Sequence, residues 1–121
     1  MHGYIDEYFN TMLEDIAVVG EGGNLQLEAV LDTGFNGMFS LPKKHFHECV
    51  LSYYGTEEYI LANGAVVEEP VYRGRLVIDN RVLEVIMCIS SDDEALLGTR
   101  LLDGKIVTLD FVNYRITENP A

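Results

Sequence analysis

Basic residues are scarce in this chain of 121 residues: eight Lys and Arg stand against twenty Asp and Glu, a formal net charge of −12. A surface so poor in cations has little to hold a phosphate backbone, so neither nucleic acid nor an anionic membrane is expected as a partner. Cysteine is nearly absent too. Cys49 and Cys88 form no CxxC pair and no dense pattern, which excludes a disulfide scaffold and fits reduced thiols in a cytoplasmic protein. No apolar stretch reaches the length of a membrane span. Residues 1–7 are neither basic nor followed by an apolar run of signal-peptide length, so a soluble, intracellular protein is expected. Repeats, low-complexity tracts and linkers are lacking as well, and one domain over residues 1–121 is the expectation.

What is present is an ordinary folded composition. Hydrophobic residues make up 48% and charged residues 23%, enough to bury a core without disulfides or metals. Short apolar runs broken by Gly, Asn and Asp recur along the chain, which is the rhythm of an all-β domain. Strands are predicted over residues 3–7, 12–19, 25–31, 38–41, 57–61, 65–68, 71–78, 82–89, 105–111 and 114–117. Asn63-Gly64 and Asp79-Asn80 read as two-residue hairpin turns, the first suited to type I′. Gly22-Gly23-Asn24 is a looser turn. Two helical segments are predicted. Ser40 would cap one, opened by Pro42, with Phe46 and Val50 on one face and Gly55 beyond. Thr99 would cap a short turn over 100–103, ended by Gly104. A capping box at Ser91-Asp92-Asp93-Glu94 competes for the start of that second helix.

The chemistry-bearing stretch is Ala29-Val30-Leu31-Asp32-Thr33-Gly34-Phe35-Asn36-Gly37. An apolar strand ends in a carboxylate, whose burial there costs several kcal/mol unless it is hydrogen-bonded. Thr33 can donate through its hydroxyl, and Gly34 lets backbone approach closely. Asp-Thr-Gly alone arises by chance in roughly one chain in forty of this length, so its context decides its meaning.

That context resembles the retroviral-type (retropepsin-like) aspartic proteases, above all their small prokaryotic, single-domain relatives. Leu31-Asp32-Thr33-Gly34 stands as the first element, the hairpin around Asn63-Gly64 falls where the family has its flap, and Leu96-Leu97-Gly98 forms the third. Thr99-Arg100-Leu101-Leu102 is similar to the family's short helix. Phe35-Asn36-Gly37, Leu41-Pro42 and Leu109-Asp110-Phe111 resemble the prokaryotic branch. The resemblance runs from about Gly3 to Ile116. Retroviral members usually carry Ala where this chain has Phe35, so substrate pockets inferred from viral enzymes do not transfer.

The resemblance implies an all-β fold, a closed β-barrel or sandwich with one or two short helices, acting as a homodimer. It implies an endopeptidase without cofactor or metal, cleaving extended or unfolded polypeptide. In such enzymes two neighbouring carboxylates share a proton, one activating water while the other polarises the scissile carbonyl. The chain has one Asp-Thr-Gly, so Asp32 would need Asp32 of a second copy. Thr33 would lock the two loops together, and Gly34 would give its N–H to the carboxylate. Leu97 and Gly98 would support the loop. Phe35, Asn36 and the flap residues Ala62, Asn63 and Gly64 would meet substrate. A rival reading is a catalytically inactive dimer serving as a peptide-binding or regulatory module, which would tolerate loss of the Asp32 carboxylate.

Other candidates weigh less. His45 and His47 stand two apart in a predicted helix, whereas helical ligand pairs need three or four. Nothing orients a base for Cys49. Glu57-Glu58 and Glu68-Glu69 read as solvated faces, and Ser90-Ser91 lacks the glycines of a nucleophile elbow.

Overall fold

The computed structural model describes residues 1–120. Its strands are β1 (His2–Ile5), β2 (Thr11–Val19), β3 (Asn24–Asp32), β4 (Phe39–Pro42), β5 (Ser52–Ile60), β6 (Val66–Ile78), β7 (Arg81–Ser90), β8 (Ala95–Gly98), β9 (Ile106–Asp110) and β10 (Arg115–Asn119). They form one sheet in the order β5-β6-β7-β4-β8-β3-β2-β1-β10-β9. A further pairing of β6 with β2 closes the middle of that sheet on itself. The result is a barrel of β6, β7, β4, β8, β3 and β2, with β5 extending from one side and β1, β10 and β9 from the other.

The core fills that barrel. Leu13, Ile16 and Val18 of β2 meet Phe39 and Leu41 of β4, Leu76 of β6, Val85 and Met87 of β7, and Leu97 of β8, all fully buried. Closure follows from alternation: residues i, i+2 and i+4 of each strand point inward, so one apolar face can be hidden only against itself. Among the described residues, no helix is long and apolar enough to cross a membrane.

The local readings need several corrections. Ser40 caps nothing: it lies in β4, where all four residues are buried. The helix after it shrinks to a 3₁₀ turn (Lys43–His45) and a single turn α1 (Phe46–Cys49), with no side-chain cap. It ends at Val50, whose φ of 52° is left-handed, and not near Gly55. Gly55 lies inside β5, which begins at Ser52. Strand β6 runs unbroken through Pro70, where two strands had been expected. There β6 pairs with β5 alone, since its pairing with β7 starts at Val71; the missing N–H faces an open edge. The capping box at residues 91–94 starts no helix, because Ala95 begins β8. The second helical segment is a 3₁₀ turn, Thr99–Leu102, again uncapped by a side chain.

Asp79-Asn80 is the expected hairpin turn, with φ of 51° and 62°. At the β5–β6 tip the turn is longer than type I′. The Gly64 amide donates to the Leu61 carbonyl at 2.9 Å, and Gly64 alone is left-handed, at φ 85°. A turn whose last residue bulges needs one glycine, whereas type I′ needs two adjacent positive φ values.

The barrel's lower edge is tied by charge. The buried Met1 ammonium donates to Asp79 and, at 2.8 Å, to Glu118. Burial pulls the amine down, but the bonds to the two carboxylates outweigh it and the net shift is upward from 8.0. The same bonds hold Asp79 below 3.8 and Glu118 below 4.5. Lowered carboxylates contribute stability above their unfolded values and lose it as pH falls through the folded ones; the raised amine loses its share as pH climbs above its own. Asp79→Asn should therefore shrink the loss of urea resistance between about pH 6 and about pH 3. An unchanged loss would show that this cluster is not linked to folding.

Candidate active site

Asp32 is the last residue of β3, and β3 runs parallel to β8, so Leu31 pairs with Leu97 and Asp32 with Gly98. Strand β8 is threaded between β3 and β4. The loop between β3 and β4 must therefore bend sharply past Gly98, and the geometry shows how it does so. A Cβ on Gly98 would stand 2.1 Å from the Gly37 carbonyl oxygen and 2.8 Å from the Phe35 ring. A Cβ on Gly37 would strike the same ring at 2.6 Å. Two glycines thus make room for the one bulky aromatic in the loop.

Backbone bonds complete the frame. Gly98 donates to the Met38 carbonyl at 2.8 Å and Thr99 to the Phe35 carbonyl at 2.9 Å. The Thr99 hydroxyl, expected as a helix cap, instead donates to that same Phe35 carbonyl at 3.3 Å. The half-buried Asp32 carboxylate accepts the Gly34 N–H on Oδ1 at 2.9 Å. Thr33 is exposed, and among the described residues its hydroxyl has no partner, so it does not serve the neighbouring carboxylate.

Beside this loop opens a cleft of about 570 Å³. One wall is the loop itself, Gly34, Phe35, Asn36 and Gly37; the other is β5, through Glu57, Glu58 and Tyr59. Val71, Ile86 and Cys88 form its floor, and Arg100 stands at its side. Asp32 and Thr33 stand outside this wall, two residues and one residue before its Gly34 end. Ala62, Asn63 and Gly64 stand outside it too, at the exposed tip of the hairpin that carries Tyr59.

Sequence reasoning missed β5 as a wall. Glu57 and Glu58 are exposed, as read, but both contribute to the lining of the cleft. Tyr59 donates to Glu57 at 3.1 Å. Burial, the neighbouring Cys88 and that bond together push its phenol upward. Residues 56–60 show no apolar–polar alternation that would mark half-buried Tyr59 rather than exposed Ile60 as the inward member, so the sequence carried no signal for it. Among the described residues, His2, Glu14 and Asp15 bring possible metal-ligand atoms within 4.8 Å of one another, at the surface and outside the cleft. His45 instead meets Glu48, at 3.3 Å.

No protein-family profile matches the chain, and no curated protein matches it significantly. Solved structures do. A retropepsin-like aspartic protease from Rickettsia conorii matches with a TM-score of 0.66 and 17% identity, over 98% of this chain and 89% of that one. The foamy viral protease–reverse transcriptase, solved with an RNA/DNA hybrid, matches with a TM-score of 0.52 and 16% identity. That likeness covers 77% of this chain and 11% of the viral one. At these identities the likeness is one of architecture, and by its architecture this chain has the retropepsin-like fold.

Proposed function

We propose that the chain is an aspartic endopeptidase that hydrolyses extended polypeptide as a homodimer, through a water held between Asp32 and Asp32 of a second copy. The observation that carries this reading is the carboxylate of half-buried Asp32, held by the Gly34 N–H at 2.9 Å, two residues before the loop that walls a cleft of about 570 Å³. A carboxylate so placed, beside a groove walled by an edge strand, suits a peptide that enters as an added strand.

One carboxylate of the pair, ionised, accepts a proton from the water as its oxygen attacks the scissile carbonyl carbon. The other, protonated, donates to the carbonyl oxygen, giving a gem-diol. As the C–N bond breaks, the protonated carboxyl gives its proton to the leaving nitrogen while the other carboxylate takes one from a gem-diol hydroxyl, which becomes the carbonyl of the new acid; the pair ends with the single shared proton it began with. Thr33, exposed and with no hydroxyl partner among the described residues, would reach the second copy. Leu97 and Gly98 hold the loop from behind, and Phe35 and Asn36 meet substrate from the cleft wall. The β5–β6 hairpin, with Ala62, Asn63 and Gly64 at its tip, closes over the peptide and excludes water.

The test is a mixed library of unstructured peptides, incubated from acid to neutral pH and read by mass spectrometry. Cleavage should be strongest on the acid side and should rise more steeply than linearly with enzyme at low concentration, as a dimer requires. Absence of cleavage by folded, dimeric protein would favour a peptide-binding module instead. Rates that climb steadily well above neutrality would contradict a shared-proton pair.

A further inference from the structure

We infer that two loops at the Asp32 end of the sheet, residues 6–10 and residues 111–114, form the surface on which a second copy of this chain docks. The inference rests on the reading of Asp32 as half of a pair, and adds where the other half comes from.

Pairing places both loops at that end. Thr11 Oγ1 donates to the Leu31 carbonyl at 2.8 Å, so the loop before β2 lies beside Asp32. Ile5 at the end of β1 donates to the Tyr114 carbonyl at 3.0 Å, so the β9–β10 turn lies beside that loop. Strand steps of about 5 Å set the whole row within one small face.

The two loops are built alike. Asp6 Oδ1 accepts the amides of Tyr8 and Asn10, and Oδ2 accepts the Asn10 side chain. Asp110 Oδ1 accepts the amides of Val112 and Asn113, and Oδ2 accepts the Asn113 side chain. Each carboxylate is thus occupied within its own turn. What each turn presents outward is apolar: Tyr8 at 77% and Phe9 at 68% exposure from one, Val112 at 84% with half-exposed Phe111 and Tyr114 from the other. Phe9 and Tyr114 are held at φ of 65° and 57°, a conformation that non-glycine residues rarely adopt. Glu7 and Arg115, both exposed, put one charge of each sign at the rim.

A second copy is the occupant that fits. Two copies carrying −12 each repel one another, so their contact needs a face poor in free acids; here Asp6 and Asp110 are engaged within their turns, Glu7 sits at the rim, and the outward groups are apolar. The face also lies at the carboxylate that needs a mate, and a two-fold contact through it brings like loop to like loop.

Sedimentation velocity on the full chain, with Phe9→Glu, Val112→Glu and the double variant, tests this. Both side chains are exposed, so the variants should fold, and circular dichroism checks that they do. Each substitution should weaken the dimer at least about 30-fold. Val82→Glu, equally exposed but on the far β6–β7 hairpin, should leave it unchanged, as should Asp32→Asn. Peptide cleavage by Phe9→Glu should fall with the dimer fraction and recover at high protein concentration. Loop variants that dimerise like the parent would overturn the docking surface while leaving Asp32-dependent cleavage standing. A parent that stays monomeric, or that floats with phosphatidylcholine vesicles as a monomer, would overturn it outright.

Discussion

Asp32→Asn should lower peptide cleavage about 10³-fold, the middle of the range for a group that transfers the reacting proton. The carboxamide keeps the shape and one acceptor oxygen for the Gly34 N–H, which now meets Oδ1 at 2.9 Å. Melting temperature and dimer affinity should therefore hold, and peptide affinity should change less than about tenfold. What disappears is the ability of the pair to hold one proton and lose it. The comparison separates catalysis from binding: a module that only grips peptide would behave alike with either residue. Cleavage by the variant at the parent's rate would mean that Asp32 is not the reacting group.

Gly98→Ala should cost about 3 kcal/mol of stability, from the upper range of overpacking penalties. For a domain of this size that is a drop of about 12 °C in melting temperature. The new methyl would stand 2.1 Å from the Gly37 carbonyl oxygen. The Gly98 side is held, because its amide is itself bonded to the Met38 carbonyl at 2.8 Å. Relief has to come from moving the loop that carries Asp32, so cleavage should fall by more than the unfolded fraction explains. Gly55→Ala is the control: a Cβ there meets nothing within 4 Å, and stability should hold or rise by up to about 1 kcal/mol. Equal melting temperatures for the two variants would show that the tight passage at Gly98 relaxes freely.

The features legible from the residues were those that short-range chemistry dictates. A carboxylate ending an apolar run, followed by Thr33 and Gly34, marks a strand end whatever the rest of the chain does. Asp79-Asn80 makes a tight hairpin because both residues tolerate left-handed φ. Longer-range pairing was not legible. Nothing in the local pattern of β2 says that its upper half turns to β6 and closes a barrel. Strand β8 has four residues, and a capping box just before it argued for helix; pairing with β3 and β4 overrode that propensity. The strands expected over 65–68 and 71–78 are one, and the sequence does not show it because the tolerance of Pro70 depends on which edge is open. The start of β5 hid behind Gly55 and a helix projected too far. The two apolar turns beside the site were equally hidden, although an Asp with an Asn three or four residues later was their available signal.

The parallel contact between Asp32 and Gly98 also bears on when a newly made chain becomes dangerous. Thr99 and Phe35, which bond across that contact, are 64 residues apart in sequence. Pairings so distant are the slow steps of folding, and at the ribosome they wait until the later partner has emerged. Asp32 is thus synthesised early, but its cradle is finished only when β8 arrives, and the flanking turn at residues 111–114 later still. In the endopeptidase proposed above, a centre assembled in that order would stay inert while its own backbone is extended and most open to attack.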